Sequence, residues 1–97
     1  MYRIRCINKT NRASAHERIS HIGGLNDNNT RWRLTLAEGV RMTEEAAAKG
    51  QVAFYIEQGG SRVNVVVAVS ALGHKYLKTV ADGEQPDNLL SLPECPA

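Results

Sequence analysis

Four side chains in this sequence could together hold a metal ion. Cys6, His16, His21 and Cys95 supply two thiols and two imidazoles, which is a donor set of tetrahedral zinc sites. Structural zinc ligands usually come as close pairs such as Cys-x-x-Cys, and the sequence has no such pair. We therefore favour a buried Cys6, a packed Cys95 and surface or capped histidines. A zinc-stabilised domain and a disulfide between the two cysteines are the alternatives.

The segment His16-Glu17-x-x-x-His21 does not fit a metalloprotease. That motif needs two histidines four residues apart on one helical face, whereas these are five apart in a segment without helical character. A cysteine or carboxylate beside a histidine could act as nucleophile and base, but the sequence brings no such pair together. We assign no catalytic residue and no cofactor, and we favour a protein that is not an enzyme.

Basic charge is concentrated in the N-terminal third of the chain. Residues 1–33 carry seven Lys or Arg against two Asp or Glu, whereas residues 34–97 carry five against eight. Such a skew could contact phosphates, so nucleic-acid binding is one hypothesis. The net charge of only +2 makes it the alternative and not the favourite. Its candidate contacts are Arg3, Arg5, Lys9, Arg12, Arg18, Arg31 and Arg33.

Trp32 stands between Arg31 and Arg33 and has two interpretations. An exposed indole flanked by guanidinium groups could stack on bases, whereas a buried indole would anchor the fold. Aromatic residues are scarce in this chain, so we favour the anchor.

Length and composition predict one domain over residues 1–97. No run approaches the roughly 20 apolar residues of a membrane span, and the first residues lack the apolar core of a signal peptide. We expect a cytoplasmic protein that does not bind membranes, and in that compartment Cys6 and Cys95 should be free thiols.

Alternating residues predict a strand over residues 2–7, with Cys6 pointing inward. A short strand over residues 18–22 should end at a tight turn made by Gly23-Gly24. Thr35 and Glu38 have the spacing of a capping box, which with Gly50 predicts a helix over residues 36–49.

Gly59-Gly60 predicts a two-residue hairpin in which Glu57 faces Arg62. A second loop containing Gly73 should return the chain so that Leu77 lies opposite Val67, giving a three-stranded meander. Leucines near the C-terminus predict a docked cap. The fold class is therefore α+β: a small antiparallel sheet, formed by the meander and N-terminal strands, packed against one main helix.

Several motifs in order resemble a family of small bacterial domains of unknown function. They are an HxRIxxIGG motif from His16 to Gly24, Trp32, a GxKYLxT segment from Gly73 to Thr79, and a C-terminal NLLxLPxC motif ending at Cys95. The resemblance implies a fold and no activity. Our preferred hypothesis is an interaction or regulatory module that binds a protein partner or itself through a sheet face or edge carrying Tyr55, Asn64 and Tyr76.

Overall fold

The computed structural model describes residues 1–10, 18–82 and 86–96, which form two small sheets around one main helix. The elements in chain order are β1 (Tyr2–Arg3), β2 (Cys6–Lys9), β3 (Ile19–Leu25), β4 (Arg31–Thr35), α1 (Leu36–Ala48), β5 (Phe54–Gln58), β6 (Ser61–Val69), β7 (Lys75–Thr79) and α2 (Asp87–Leu90). The predicted α+β class and the main helix are confirmed.

The larger sheet has the strand order β1-β5-β6-β7. Its β5–β6 hairpin has the predicted register, with Glu57 opposite Arg62. Gly59 and Gly60 have φ angles of +58° and +80°, as a two-residue hairpin turn of this kind requires. The sheet is not purely antiparallel, because β1 pairs with β5 in parallel.

The predicted meander is also confirmed. Leu77 of β7 lies opposite Val67 of β6, and Gly73 in the connecting loop has a φ of +84°. Leu77 is fully buried. The C-terminal turn of this sheet is fixed by Asp82, whose carboxylate accepts hydrogen bonds from the backbone N–H groups of Thr79 and Asn88 at 3.3 Å each.

The smaller sheet has the antiparallel order β2-β3-β4. The single strand predicted over residues 2–7 is wrong, because the chain leaves the larger sheet after Arg3 and joins the smaller one at Cys6. Ile4 and Ile7 are both buried, which breaks the expected alternation. The inward position predicted for Cys6 is therefore wrong as well.

Two glycines predicted as a tight turn lie inside β3. Gly23 and Gly24 are buried strand residues opposite Arg33 and Trp32 of β4. A Cβ at position 24 would lie 2.4 Å from the Arg3 carbonyl oxygen and 2.9 Å from the Trp32 ring. Glycine is therefore used here for close approach and not for turning.

Helix α1 begins at the predicted capping box. The Thr35 hydroxyl accepts from the Glu38 N–H at 3.2 Å, and the Glu38 carboxylate accepts from the Thr35 N–H at 3.1 Å. The Thr35 N–H and the Thr35 hydroxyl, which donates to the same carboxylate oxygen at 2.9 Å, lower the pKa of Glu38 below its ordinary value of 4.5. The helix ends as predicted, with Lys49 as C-cap and Gly50 at a φ of +70°.

The helix packs between the two sheets. At Gly39 of α1, an added Cβ would lie 2.8 Å from the Ile22 Cδ1 of the smaller sheet and 3.4 Å from the Leu77 Cδ1 of the larger one. Leu89 of α2 is fully buried in the same core, so the predicted leucine cap is confirmed. Neither helix in the described part of the chain is long and apolar enough to span a bilayer.

Candidate functional site

Successive side chains of a strand point to opposite faces, and this alternation gives the smaller sheet a basic outer face. In β4, Arg31 and Arg33 are exposed, whereas Trp32 and Leu34 are half-buried toward the core. Arg33 lies opposite Gly23, which in turn lies opposite Cys6 of β2. The outer face therefore carries arginines on one strand and a cysteine on another.

A disulfide joins Cys6 to Cys95 across this face, with the two Cα atoms 4.8 Å apart. The prediction of free thiols is wrong in this structure. The C-terminal tail lies in parallel beside β2, since the Ile7 N–H donates to the Pro93 carbonyl at 3.0 Å and the Cys95 N–H donates to the Ile7 carbonyl at 2.9 Å. This backbone pairing places the two cysteines side by side.

Gly23 leaves the space that the disulfide occupies. A Cβ at position 23 would lie 2.9 Å from the Cys95 Sγ and 3.0 Å from the Cys6 Sγ, closer than real side chains pack. Sequence reasoning missed this role because it treated Gly23 as a turn residue. An isolated glycine in a strand pattern is nevertheless a recognised sign of close approach.

The disulfide, β4 and the tail enclose a cleft of about 350 Å³, here called the arginine cleft. Its lining includes three exposed arginines, Arg5, Arg31 and Arg33. Buried Gly24 and half-buried Trp32 line it together with both cysteines and the tail residues 93–96. The cleft thus has an apolar interior, bordered by the side chains of three exposed arginines.

Among the residues that the structure describes, Glu94 of the tail supplies the carboxylate that lines the arginine cleft. Asn8 links it to the opposite side, since the Asn8 amide donates to the Glu94 Oε2 at 3.2 Å and its Oδ1 accepts from the Arg33 Nε at 2.8 Å. Among the described residues, three arginines and one glutamate line the cleft, and this excess of positive charge makes it attractive to an anionic group.

A second, more polar cleft of about 800 Å³ adjoins the first. Arg5 and Leu25 line both clefts, so the two clefts meet at these residues. Arg3 and Tyr55 also line the second cleft, where Arg3 pairs with Glu57 at 3.7 Å. Six of the eight binding residues predicted from sequence therefore line the surface formed by these two adjoining clefts: Arg3, Arg5, Arg31, Trp32, Arg33 and Tyr55.

The aromatic rings at this surface already have neighbours on their faces. The Trp32 ring stacks on Phe54 with centroids 5.8 Å apart and meets Tyr2 edge-on at 5.9 Å. The Arg62 guanidinium lies 4.1 Å from the centroid of the Tyr55 ring. The anchor role favoured for Trp32 agrees with its place against the core.

Two predicted binding residues lie away from this surface. Tyr76 is only 4% exposed, so the prediction that it presents a surface to a partner is wrong. Its position in β7, opposite Ala68, places it on the larger sheet. Arg18 is exposed just before β3, at the end of that strand away from Leu25, and it lines neither cleft.

The proposed zinc ligands are not assembled in the described part of the chain. Cys6 and Cys95 are bonded to each other, so neither is a thiolate. His21 has its Nδ1 2.9 Å from the Ser20 hydroxyl, and His16 lies outside the described residues. Among the residues that the structure describes, no group of three potential metal ligands converges. The zinc alternative stays a prediction for the reduced protein.

Sequence comparison gives a family and no activity. Residues 3–93 match the family model described as "Protein of unknown function (DUF3892)". No curated protein and no solved structure matches the chain.

Proposed function

The chain belongs to the DUF3892 family of proteins of unknown function, and we propose that it is a small non-enzymatic interaction module that binds a protein partner at the arginine cleft. The observation that carries the proposal is the convergence of Arg5, Arg31 and Arg33 on an apolar cleft. Arginine is enriched in protein interfaces because its planar guanidinium binds carboxylates in two-pronged fashion and is less strongly hydrated than an ammonium group.

The apolar interior of the cleft supports a protein partner over nucleic acid. Single-stranded nucleic acid is usually held by aromatic faces on which bases stack, together with cations that follow the backbone. Here one face of Trp32 packs on Phe54, and Tyr55 is stacked with Arg62. A carboxylate-bearing protein segment needs no such free ring and gains from the apolar surface.

A pair of charge-reversal variants tests the proposal. Arg31→Glu with Arg33→Glu reverses two exposed charges of the arginine cleft, and Arg41→Glu with Lys49→Glu makes the same charge change on the exposed surface of α1. Each protein is immobilised, exposed to nuclease-treated host extract, and its captured proteins are identified by mass spectrometry. We expect a protein that the wild type and the α1 variant retain and the cleft variant loses.

Two outcomes of this experiment would overturn the proposal. One is that both variants retain the same proteins as the wild type. The other is that the wild type retains proteins only from extract that has not been treated with nuclease, and that a labelled single-stranded oligonucleotide binds the wild type but not the cleft variant. This second result would establish the nucleic-acid alternative, in which affinity also falls steeply with salt.

The expected cytoplasmic location is part of the proposal, and the disulfide bears on it directly. Disulfides are rare in the cytosol, where thiols are kept reduced. Alkylation of thiols in freshly lysed cells, followed by mass measurement, distinguishes the two states. Two modified cysteines support a cytoplasmic protein that is oxidised only later, and an unmodified chain supports an oxidising compartment.

A further inference from the structure

Strand β4 is the edge of the smaller sheet, and half of its backbone groups face away from the sheet. The Asn26 N–H donates to the Thr30 carbonyl at 2.8 Å, so these two residues form a hydrogen-bonded pair. Hydrogen-bonded and non-bonded pairs alternate along an antiparallel ladder. Trp32 therefore bonds to β3, whereas Arg31 and Arg33 direct their N–H and C=O groups outward.

An independent contact agrees with this assignment. The Gly23 carbonyl accepts from the Arg5 N–H at 2.9 Å, so Gly23 directs its backbone groups toward β2 and away from Arg33. Within residues 1–10, 18–82 and 86–96, no other strand pairs with the outer edge of β4. Among these residues, the edge is thus open to one more strand.

The two faces beside this edge differ in chemistry. On the outer face stand the exposed side chains of Arg31 and Arg33. On the inner face, Trp32, Leu34 and Met42 line a cavity of about 190 Å³, together with Tyr2, Asn26 and Phe54. This edge cavity is mostly apolar because the core is not closed at β4. A strand placed there would meet cations on one side and apolar groups on the other.

We propose that the partner docks by adding an extended segment, with acidic and apolar residues in alternation, as a fourth strand beside β4. This inference rests on the proposed function and specifies how the partner is held. Main-chain hydrogen bonds to Arg31 and Arg33 supply affinity, as in other strand-addition complexes. Acidic side chains opposite the two arginines pair with them, and the intervening apolar side chains enter the edge cavity.

The charge pattern argues against a second copy of this chain as the occupant. Two β4 strands paired edge to edge would place the arginines of both copies on one face of the joined sheet. Like charges directly across a strand pair are destabilising. A partner with carboxylates at every second position removes this repulsion.

The test measures the fluorescence anisotropy of a fluorescein-labelled octapeptide as wild-type protein is added. In this peptide glutamate alternates with leucine. Two further peptides carry backbone N-methyl groups, one on all glutamates and the other on all leucines. In a strand pair, the backbone N–H groups of either the glutamates or the leucines point toward β4, and those of the other set point away. We therefore expect one methylated peptide to lose affinity by about tenfold or more, while the other binds nearly as well. A lysine-leucine octapeptide is the charge control.

The protein variants separate this inference from the proposed function. Arg31→Glu with Arg33→Glu should weaken the glutamate-leucine peptide by about tenfold or more, and Arg41→Glu with Lys49→Glu should change it by less than about twofold. If both methylated peptides bind like the parent, or both fail equally, strand addition is overturned. The proposed binding at the arginine cleft keeps its support if the charge reversal still weakens binding of the glutamate-leucine peptide. No binding of the glutamate-leucine peptide overturns the strand-addition proposal, and the capture experiment then decides the proposed function alone.

Discussion

Removal of the Cys6–Cys95 disulfide should cost this small domain a large share of its stability. The perturbation is a double substitution, Cys6→Ser with Cys95→Ser, compared with the wild type in oxidised form and in the presence of a reductant. The bond joins positions 89 residues apart, so it closes almost the whole chain into a loop. Cross-linking lowers the entropy of the unfolded chain, and the effect grows with the length of the closed loop.

The expected size follows from that loop length. The chain-entropy model gives about 4.6 kcal/mol for a loop of about 90 residues, and measured disulfides typically contribute roughly 2–4 kcal/mol. A domain of this size is expected to be stable by about 5–15 kcal/mol in total. We therefore expect the double variant to lose about 2–4 kcal/mol of unfolding free energy, which corresponds to a fall in Tm of roughly 10–25 °C.

Urea unfolding followed by fluorescence of the single tryptophan measures this difference. Mass and thiol titration first establish that the wild type is oxidised. Reductant should bring its midpoint close to that of the double variant and leave the double variant unchanged. Equal unfolding free energies for the oxidised protein and the double variant, to within about 0.5 kcal/mol, would refute the reasoning.

Four other substitutions test the fold. Gly24→Ala should destabilise by about 1–3 kcal/mol in thermal unfolding, since its Cβ would meet the Arg3 carbonyl at 2.4 Å, and an unchanged Tm would contradict this contact. Thr35→Ala should cost about 1 kcal/mol through loss of the helix cap, measured by urea unfolding. Because the folded state lowers the pKa of Glu38, its contribution is present above pH 4.5 and is lost as the pH falls through the lowered value, so Glu38→Gln should flatten the pH dependence of stability in that acidic range. Leu77→Ala should cost about 2–5 kcal/mol because Leu77 is fully buried, and a smaller loss would mean that the core closes around the cavity.

Local signals in the sequence were sufficient where neighbouring residues decide the structure. The capping box of Thr35 and Glu38 and the Gly59-Gly60 hairpin concern residues a few positions apart, and both are confirmed. The hairpin register follows from turn chemistry and the apolar pattern together, since a shift of one residue would expose Ile56. Such predictions need no knowledge of distant contacts.

Long-range pairing explains what the sequence did not reveal. The first strand was read as continuous because Tyr2, Ile4 and Cys6 alternate with arginines, yet β1 and β2 belong to different sheets. That division depends on Tyr2 pairing with Phe54 and Cys6 pairing with Gly23, which are contacts between distant positions. The alternation of side chains within six residues does not indicate which of two distant strands each residue pairs with.

For the arginine cleft, too, residue types in the sequence indicated some of the lining residues, whereas the roles of others depend on long-range contacts. The skewed charge and the Arg31-Trp32-Arg33 triplet identified five residues that line the two clefts, namely Arg3, Arg5, Arg31, Trp32 and Arg33. Glu94 and Gly24 were missed as parts of the cleft, because their roles depend on the tail returning beside β2 and on the close approach of Trp32. Because the sequence alone does not show that the tail returns beside β2, it could not decide between a disulfide and free thiols.

The C-terminal tail contributes both to the stability of the fold and to the proposed binding surface. The tail is held by two backbone hydrogen bonds to Ile7 and by the disulfide, and its residues 93–96 also form a side of the arginine cleft. The Glu94 carboxylate is fixed through Asn8 to Arg33, which orients that guanidinium beside β4. Without the covalent bond, the tail beyond Leu92 is held beside β2 by hydrogen bonds such as these. The bond that stabilises the fold therefore also maintains the shape and charge of the surface at which we propose the partner binds.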